Sequence, residues 1–270
     1  MQAKQTDSRT RRVAVILGPG GSSRSLLDAV LPLLGKGRAM EMHGVFLEES
    51  ELRHAVALPF VKELCRVTFD VREINSDQFE QVLALRLRTA RKALSVLARR
   101  AGVTHSFENV RGSAVHLLTE ISSQSDITIF EPVRSMALAM SPGAQQRRLS
   151  HRIVVAINDL EQGGRALLAA SQLSDGEMHR VSVLLTPSAA ADTEALSRLF
   201  SKLLPGHPGY VRTVPAYDVE SLAGSARAEN AAMLVLTATP EIMSPDFLRL
   251  LRQRIRCPIC LVTPVKVAAS

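Results

Sequence analysis

Short apolar runs alternate with helix-period stripes along most of the chain. The first half predicts strand 13–17, helix 22–34, strand 42–47, a looser segment 48–77, a long helix 79–101, strand 105–110, helix 114–123 and strand 127–130. The second half predicts strand 153–157, helix 163–173, strand 181–186, helix 192–204, strand 211–217, helix 219–229, strand 233–237, helix 245–255 and strand 259–263. The long helix is the clearest: Leu83, Leu87, Ala90, Leu94, Leu97 and Ala101 recur at spacings of four and three, which lines one face of a 3.6-residue period. Apolar strands separated by amphipathic helices indicate parallel sheets covered on both faces.

The pattern occurs twice. Arg12-Val13-Ala14-Val15-Ile16-Leu17 opens one unit, and Arg152-Ile153-Val154-Val155-Ala156-Ile157 opens another 140 positions later. The division is a basic tail over 1–11, a first α/β unit over 12–140, a linker over 141–150 and a second unit over 151–265. Two stacked, doubly wound parallel-sheet domains related by a pseudo-two-fold are expected. The second unit has a helix and a strand after Val235, whereas the first has only residues 132–150 before the repeat restarts. Either its last strand is missing or residues 136–140 supply a short one. A missing strand leaves an edge that the second unit or another copy of the chain must cover.

Val110-Arg111-Gly112-Ser113, then Ile121, then Asp126-Ile127-Thr128-Ile129-Phe130 resembles the middle of a universal stress protein domain. Arg256-Cys257-Pro258-Ile259-Cys260-Leu261-Val262 resembles the closing strand of that family. The resemblance implies a tandem of the adenine-nucleotide alpha-hydrolase-like fold. It also implies where nucleotide would bind: an Asp ending the first strand, and Gly-x2-Gly-x9-Gly after the fourth. Gly18 and Asn158 stand at the Asp position, Glu131, Arg134 and Ala144 at the glycines of the first unit, and Thr237, Pro240 and Leu250 at those of the second. Backbone amides approach phosphate closely where no β-carbon intervenes, so these residues argue against ATP and leave no cofactor expected.

Other chemistry is sparse. Gly18, Gly20, Gly21, Ser22 and Ser23 lie between a predicted strand and helix, where amides could hold a small anion; the alternative is a tight turn capped by serine. This loop is similar to the Ser-Gly-Gly-x-Asp-Ser loop of ATP pyrophosphatases but lacks the Asp. Cys257 and Cys260 have a redox or zinc half-site spacing without a second pair, and they enter a strand rather than open a helix, which favours a structural role. The seven histidines show no zinc spacing, and no Gly-x-Ser-x-Gly elbow occurs. No catalytic or metal-binding residue is assigned.

Composition narrows the partners. Zero Trp and two Tyr offer no stacking platforms for nucleic acid, and no apolar run reaches the roughly 20 residues of a membrane span. The start of the chain lacks the apolar centre of a signal peptide, so a cytoplasmic location is expected. Residues 1–150 hold 21 Lys and Arg against 15 Asp and Glu, a net +6, whereas residues 151–270 hold 12 against 11, a net +1. Arg91, Lys92 and Arg99 lie mostly off the apolar stripe of the long helix and form a candidate surface for an acidic partner, a second copy of the chain being the other possibility. The sequence therefore reads as a non-enzymatic regulatory or scaffolding module that has lost the nucleotide motif. The alternative is a nucleotide or small-anion sensor using the Gly18–Ser23 loop.

Overall fold

A computed structural model describes residues 10–19, 23–35, 39–58, 60, 62–64, 70–73, 76–132 and 152–264. The first half contains β1 (Arg11–Leu17), α1 (Ser23–Val30), β2 (Met40–Glu49), α2 (Ser50–Ala57), β3 (Lys62–Leu64), β4 (Val71–Glu73), α3 (Ser76–Ala101), β5 (Thr104–Gly112), α4 (Ala114–Gln124) and β6 (Ile127–Phe130). The second contains β7 (Arg152–Ile157), α5 (Leu160–Leu173), β8 (Val181–Leu185), α6 (Pro187–Ala191), α7 (Thr193–Leu203), β9 (Tyr210–Thr213), α8 (Val219–Ala228), β10 (Ala231–Thr237), α9 (Pro245–Arg254) and β11 (Ile259–Val262). Pro32 sits in a 3-10 turn, Leu31–Leu34, that replaces the end of the expected first helix. The segment read as loose carries α2 and the antiparallel β3–β4 hairpin. The linker, and residues 136–140, lie outside the described residues, as do residues 1–9 of the basic tail.

Both halves are α/β with parallel strands. They are not two separate sheets, which corrects the expectation of stacked domains. Nine strands form one sheet in the order β5-β2-β1-β6-β11-β10-β7-β8-β9. Each half has the order third, second, first, fourth; only the second half adds a fifth strand, β11, and β11 pairs antiparallel with β6. Ile259 faces Phe130 and Val262 faces Ile127 in that register. The edge left by the truncated first half is thus covered by the second half, not by another copy of the chain.

Each face of this sheet carries one apolar layer fed by both halves. Leu26, Leu94, Leu167 and Phe200, from α1, α3, α5 and α7, pack on one face. Leu118, Leu222 and Leu251, from α4, α8 and α9, pack on the other. At the seam, Asp126 accepts a bond from the Arg12 N–H at 3.0 Å and its own N–H donates to the Arg12 carbonyl at 2.9 Å. From the second half, Arg165 donates to Asp126 Oδ1 at 3.1 Å and to the Thr263 carbonyl at 2.8 Å. The Thr263 N–H donates to the Asp126 carbonyl at 3.0 Å, and its hydroxyl donates to the Ser125 carbonyl at 2.7 Å. Farther out, Arg252 on α9 holds Glu49 at the end of β2 at 2.6 Å.

Shared layers and a shared seam should make unfolding one event. Urea transitions followed by far-UV dichroism and by amide exchange in β1 and β7 should coincide. Asp126→Asn, which leaves Arg165 without its countercharge, should lower stability by about 1–3 kcal/mol in both probes. Two resolved transitions, or a loss confined to one half, would contradict this.

Candidate functional site

In an open α/β sheet, ligands bind beyond the C-terminal strand ends where the strand order reverses. That reversal falls between β7 and β10 in the second half and between β1 and β6 in the first. Because β6 and β11 run antiparallel, the two reversal points open on opposite rims of the sheet. They cannot share a ligand.

The second-half point holds a crevice of about 310 Å³. Asn158 and Asp159 come from the turn between β7 and α5, Gln162 from the first turn of α5, Thr237, Thr239, Pro240 and Glu241 follow or end β10, and Tyr217 closes the side. Gly163 lets α5 approach β7: a Cβ there would stand 2.5 Å from Ile157 Cγ2. Helix N-termini commonly attract phosphate through free amides, but Asp159 already caps α5, accepting from the amides of Glu161 at 2.7 Å and Gln162 at 3.4 Å. The Gly163 amide donates to the Asp159 carbonyl at 2.8 Å. The Tyr217 hydroxyl is spent on the Ala156 carbonyl at 3.2 Å, and burial together with nearby Glu241 pushes its ionisation upward. Two carboxylates and no lysine or arginine line the crevice. Its field opposes a phosphate chain.

The first-half point is Gly18 and Pro19 after β1, with Glu131 and Pro132 after β6. A Cβ on Gly18 would meet nothing within 4 Å, so no close approach requires glycine there. Gly20, Gly21 and Ser22 lie outside the described residues, as do Arg134 and Ala144; Ser23 opens α1. On the same rim, Glu48 at the end of β2 is buried. Burial raises its carboxyl, but donors from Asn109 at 2.6 Å, Arg111 at 2.9 Å and Arg53 at 3.1 Å more than offset this and hold it below the ordinary value. Arg53 also grips Glu80 of α3 through two bonds of 2.6 and 2.9 Å. Five residues scattered from 48 to 111 make this knot, and no spacing in the sequence announces it.

Arg91, Lys92 and Arg99 are exposed on α3. They do not act alike: the Arg91 guanidinium lies over the Phe107 ring, 5.1 Å from its centre, toward edge strand β5. Cys257 and Cys260 are free and buried, Cys260 at no exposure on β11. Burial pushes both thiols up to about 12, the opposite of an activated nucleophile. His43 is a grouping the sequence reading missed: it bonds Ser106 Oγ through Nδ1 at 2.8 Å and Glu108 through Nε2 at 3.0 Å. The three stand on adjacent strands β2 and β5, and the crevice at the β7–β10 reversal does not include them.

No protein-family model and no curated protein matches this sequence. Among solved structures, the chain is similar to a universal stress protein from Archaeoglobus fulgidus DSM 4304, at 12% identity and a TM-score of 0.46, covering 93% of this chain and 96% of that one. It is also similar to a functionally unknown protein from Pseudomonas aeruginosa PAO1, at 10% identity and a TM-score of 0.41, covering 95% of this chain and 94% of that one.

Burial of the thiols has a measurable consequence. In a Cys65→Ser background, neither Cys257 nor Cys260 should react with a disulfide reagent at pH 8 until the protein unfolds. The unfolded chain ionises them near the ordinary value of 9.0, the fold only near 12. Their contribution to stability is therefore complete below about pH 9 and is lost as the pH rises toward 12. The fall of the urea midpoint above pH 9 should be smaller in a Cys257→Ala, Cys260→Ala variant. Rapid modification of the native protein at pH 8 would contradict this.

Proposed function

We propose that this chain is a non-catalytic regulatory or scaffolding module of the universal stress protein type that no longer binds adenine nucleotide. The order third-second-first-fourth in each half, with the quoted sequence resemblance, supports the family type. The observation that carries the reading is the second-half crevice, where Asp159 occupies the α5 amides and Glu241 adds a second carboxylate. Retained scaffold with inverted site electrostatics favours a role other than nucleotide chemistry, since fold by itself assigns none.

Buried thiols argue against a cysteine nucleophile at Cys257 or Cys260, and among the described residues no group of three or more His, Cys, Asp or Glu is placed to hold a metal ion. No helix among those residues is long and apolar enough to cross a membrane. A second reading keeps a small-anion site at the Gly18–Ser23 loop; its support is the position of Gly18, at the end of β1 where the strand order reverses.

Calorimetric titration with magnesium ATP should give no binding heat from either half. A dissociation constant in the low micromolar range, about −8 kcal/mol, would overturn the leading reading. If that binding vanished in Gly20→Asp, the loop reading would replace it. Incubation with a fluorophosphonate probe should leave Ser106 unlabelled, and labelling that needs His43 would overturn the non-catalytic assignment.

A further inference from the structure

Helix α3 has two apolar stripes, and only one is used. Leu83, Ala90, Leu94 and Leu97 are buried against the sheet. Val82, Leu85 and Val96 remain 51%, 60% and 50% exposed. Their separations of three and eleven residues are close to one and three helical turns, so they share a face, about a third of a turn round from the buried stripe. Thr89 falls on the same line, and its hydroxyl donates to the Leu85 carbonyl at 2.8 Å, turning its polarity inward. Lys92, Arg88 and Arg99 flank this stripe on one side, Arg86 and Arg100 on the other.

Among the described residues these cations have no carboxylate to neutralise them. No Asp or Glu occurs between Gln81 and Ala101. Among the described residues, Arg86, Arg88, Lys92, Arg99 and Arg100 hold no carboxylate; Arg88 and Arg99 bond only carbonyls of their own helix, at 3.3 and 3.4 Å. In the second half, by contrast, eight arginines hold carboxylates at 2.6–3.7 Å. Arg99 and Arg100 suit the negative end of the helix dipole. Arg86, Arg88 and Lys92 have no such reason, and Arg88 and Lys92, four apart, repel on the helix surface. Folding does not account for this arrangement.

We infer that the outer face of α3 is a docking surface for an acidic amphipathic helix of another protein. The stripe from Val82 to Val96 is about 21 Å long at 1.5 Å per residue, which matches a partner helix of about four turns with apolar residues at i, i+3 or i+4 and i+7. Asp and Glu beside that seam would meet the two basic flanks. A second copy of α3 brings the same cations and is repelled. A nucleic acid has no use for the aliphatic centre, and three aliphatic side chains without an aromatic are a poor membrane anchor. The inference rests on the reading of the protein as a partner-binding module, and nucleotide titration reports on the crevice alone, so the two can fail separately.

The test pans an unbiased peptide library against the full-length protein. Enriched peptides should be acidic with amphipathic helical spacing. Their binding should weaken about tenfold or more in Leu85→Glu, a change that pairs with Arg88 three residues on and so keeps the helix folded. Reversing Arg88, Lys92 and Arg99 to Glu should slow association and flatten its salt dependence. Enriched peptides that ignore Leu85→Glu would overturn the proposal. So would duplex DNA or vesicles of anionic phospholipid that bind the same face as tightly as the peptides.

Discussion

The pairing of β6 with β11 is the contact on which the rest of this molecule depends. β6 is only four residues long and wholly buried, and a strand of that kind cannot leave one edge open to water. The second half supplies β11 antiparallel to it, and Asp126, Arg165 and Thr263 fasten the same place with side chains. Two nearly repeated units that each could have closed their own sheet instead close one between them. Their apolar layers then run through the seam on both faces.

That geometry decides where function can reside. Antiparallel joining sends the two strand-order reversals to opposite rims, so the halves cannot cooperate on one ligand as two parallel halves could across a single cleft. Each rim must act by its own chemistry. At the second-half rim the helix amides are consumed by Asp159, and at the first-half rim Glu48 gathers the nearby arginines into an internal knot. Groups that might have met an anion are turned back on the protein in both places.

Strands buried on both faces were legible because an unbroken apolar run fills the buried part of each, Val13–Leu17 in β1 and Ile153–Ile157 in β7. The long helix was legible from its period. The β3–β4 hairpin was not, since each strand has three residues and no periodic signal survives at that length. Exposed β9 was placed late and too long because an edge strand with no buried residue lacks the pattern that marks its neighbours. The joined sheet could be sensed only as a deficit, the absent fifth strand, because β6–β11 pairing spans about 130 residues and leaves no local trace. At the crevice, Asn158 was legible by position, but the expected helix began at 163, three residues inside the observed start at Leu160, and so passed over the cap at Asp159. An Asp before a helical stripe was the signal available.

Charge distinguishes the halves more sharply than fold does. A net +1 in the second half accompanies eight arginines that hold carboxylates, six within that half and two, Arg165 and Arg252, on Asp126 and Glu49 of the first, whereas the +6 of the first half includes a helix whose cations face water beside exposed valine and leucine. Exposed ion pairs contribute little to stability, so the pairs of Arg180, Arg198, Arg249 and Arg254 give the second half little beyond neutrality, whereas buried Glu229 and the seam carboxylate Asp126 need their arginines. The first half has left its charge unspent over one continuous face. Clustered like charge costs the folded state and acts at a distance on whatever approaches; within this molecule only the second of those effects gives the arrangement a use.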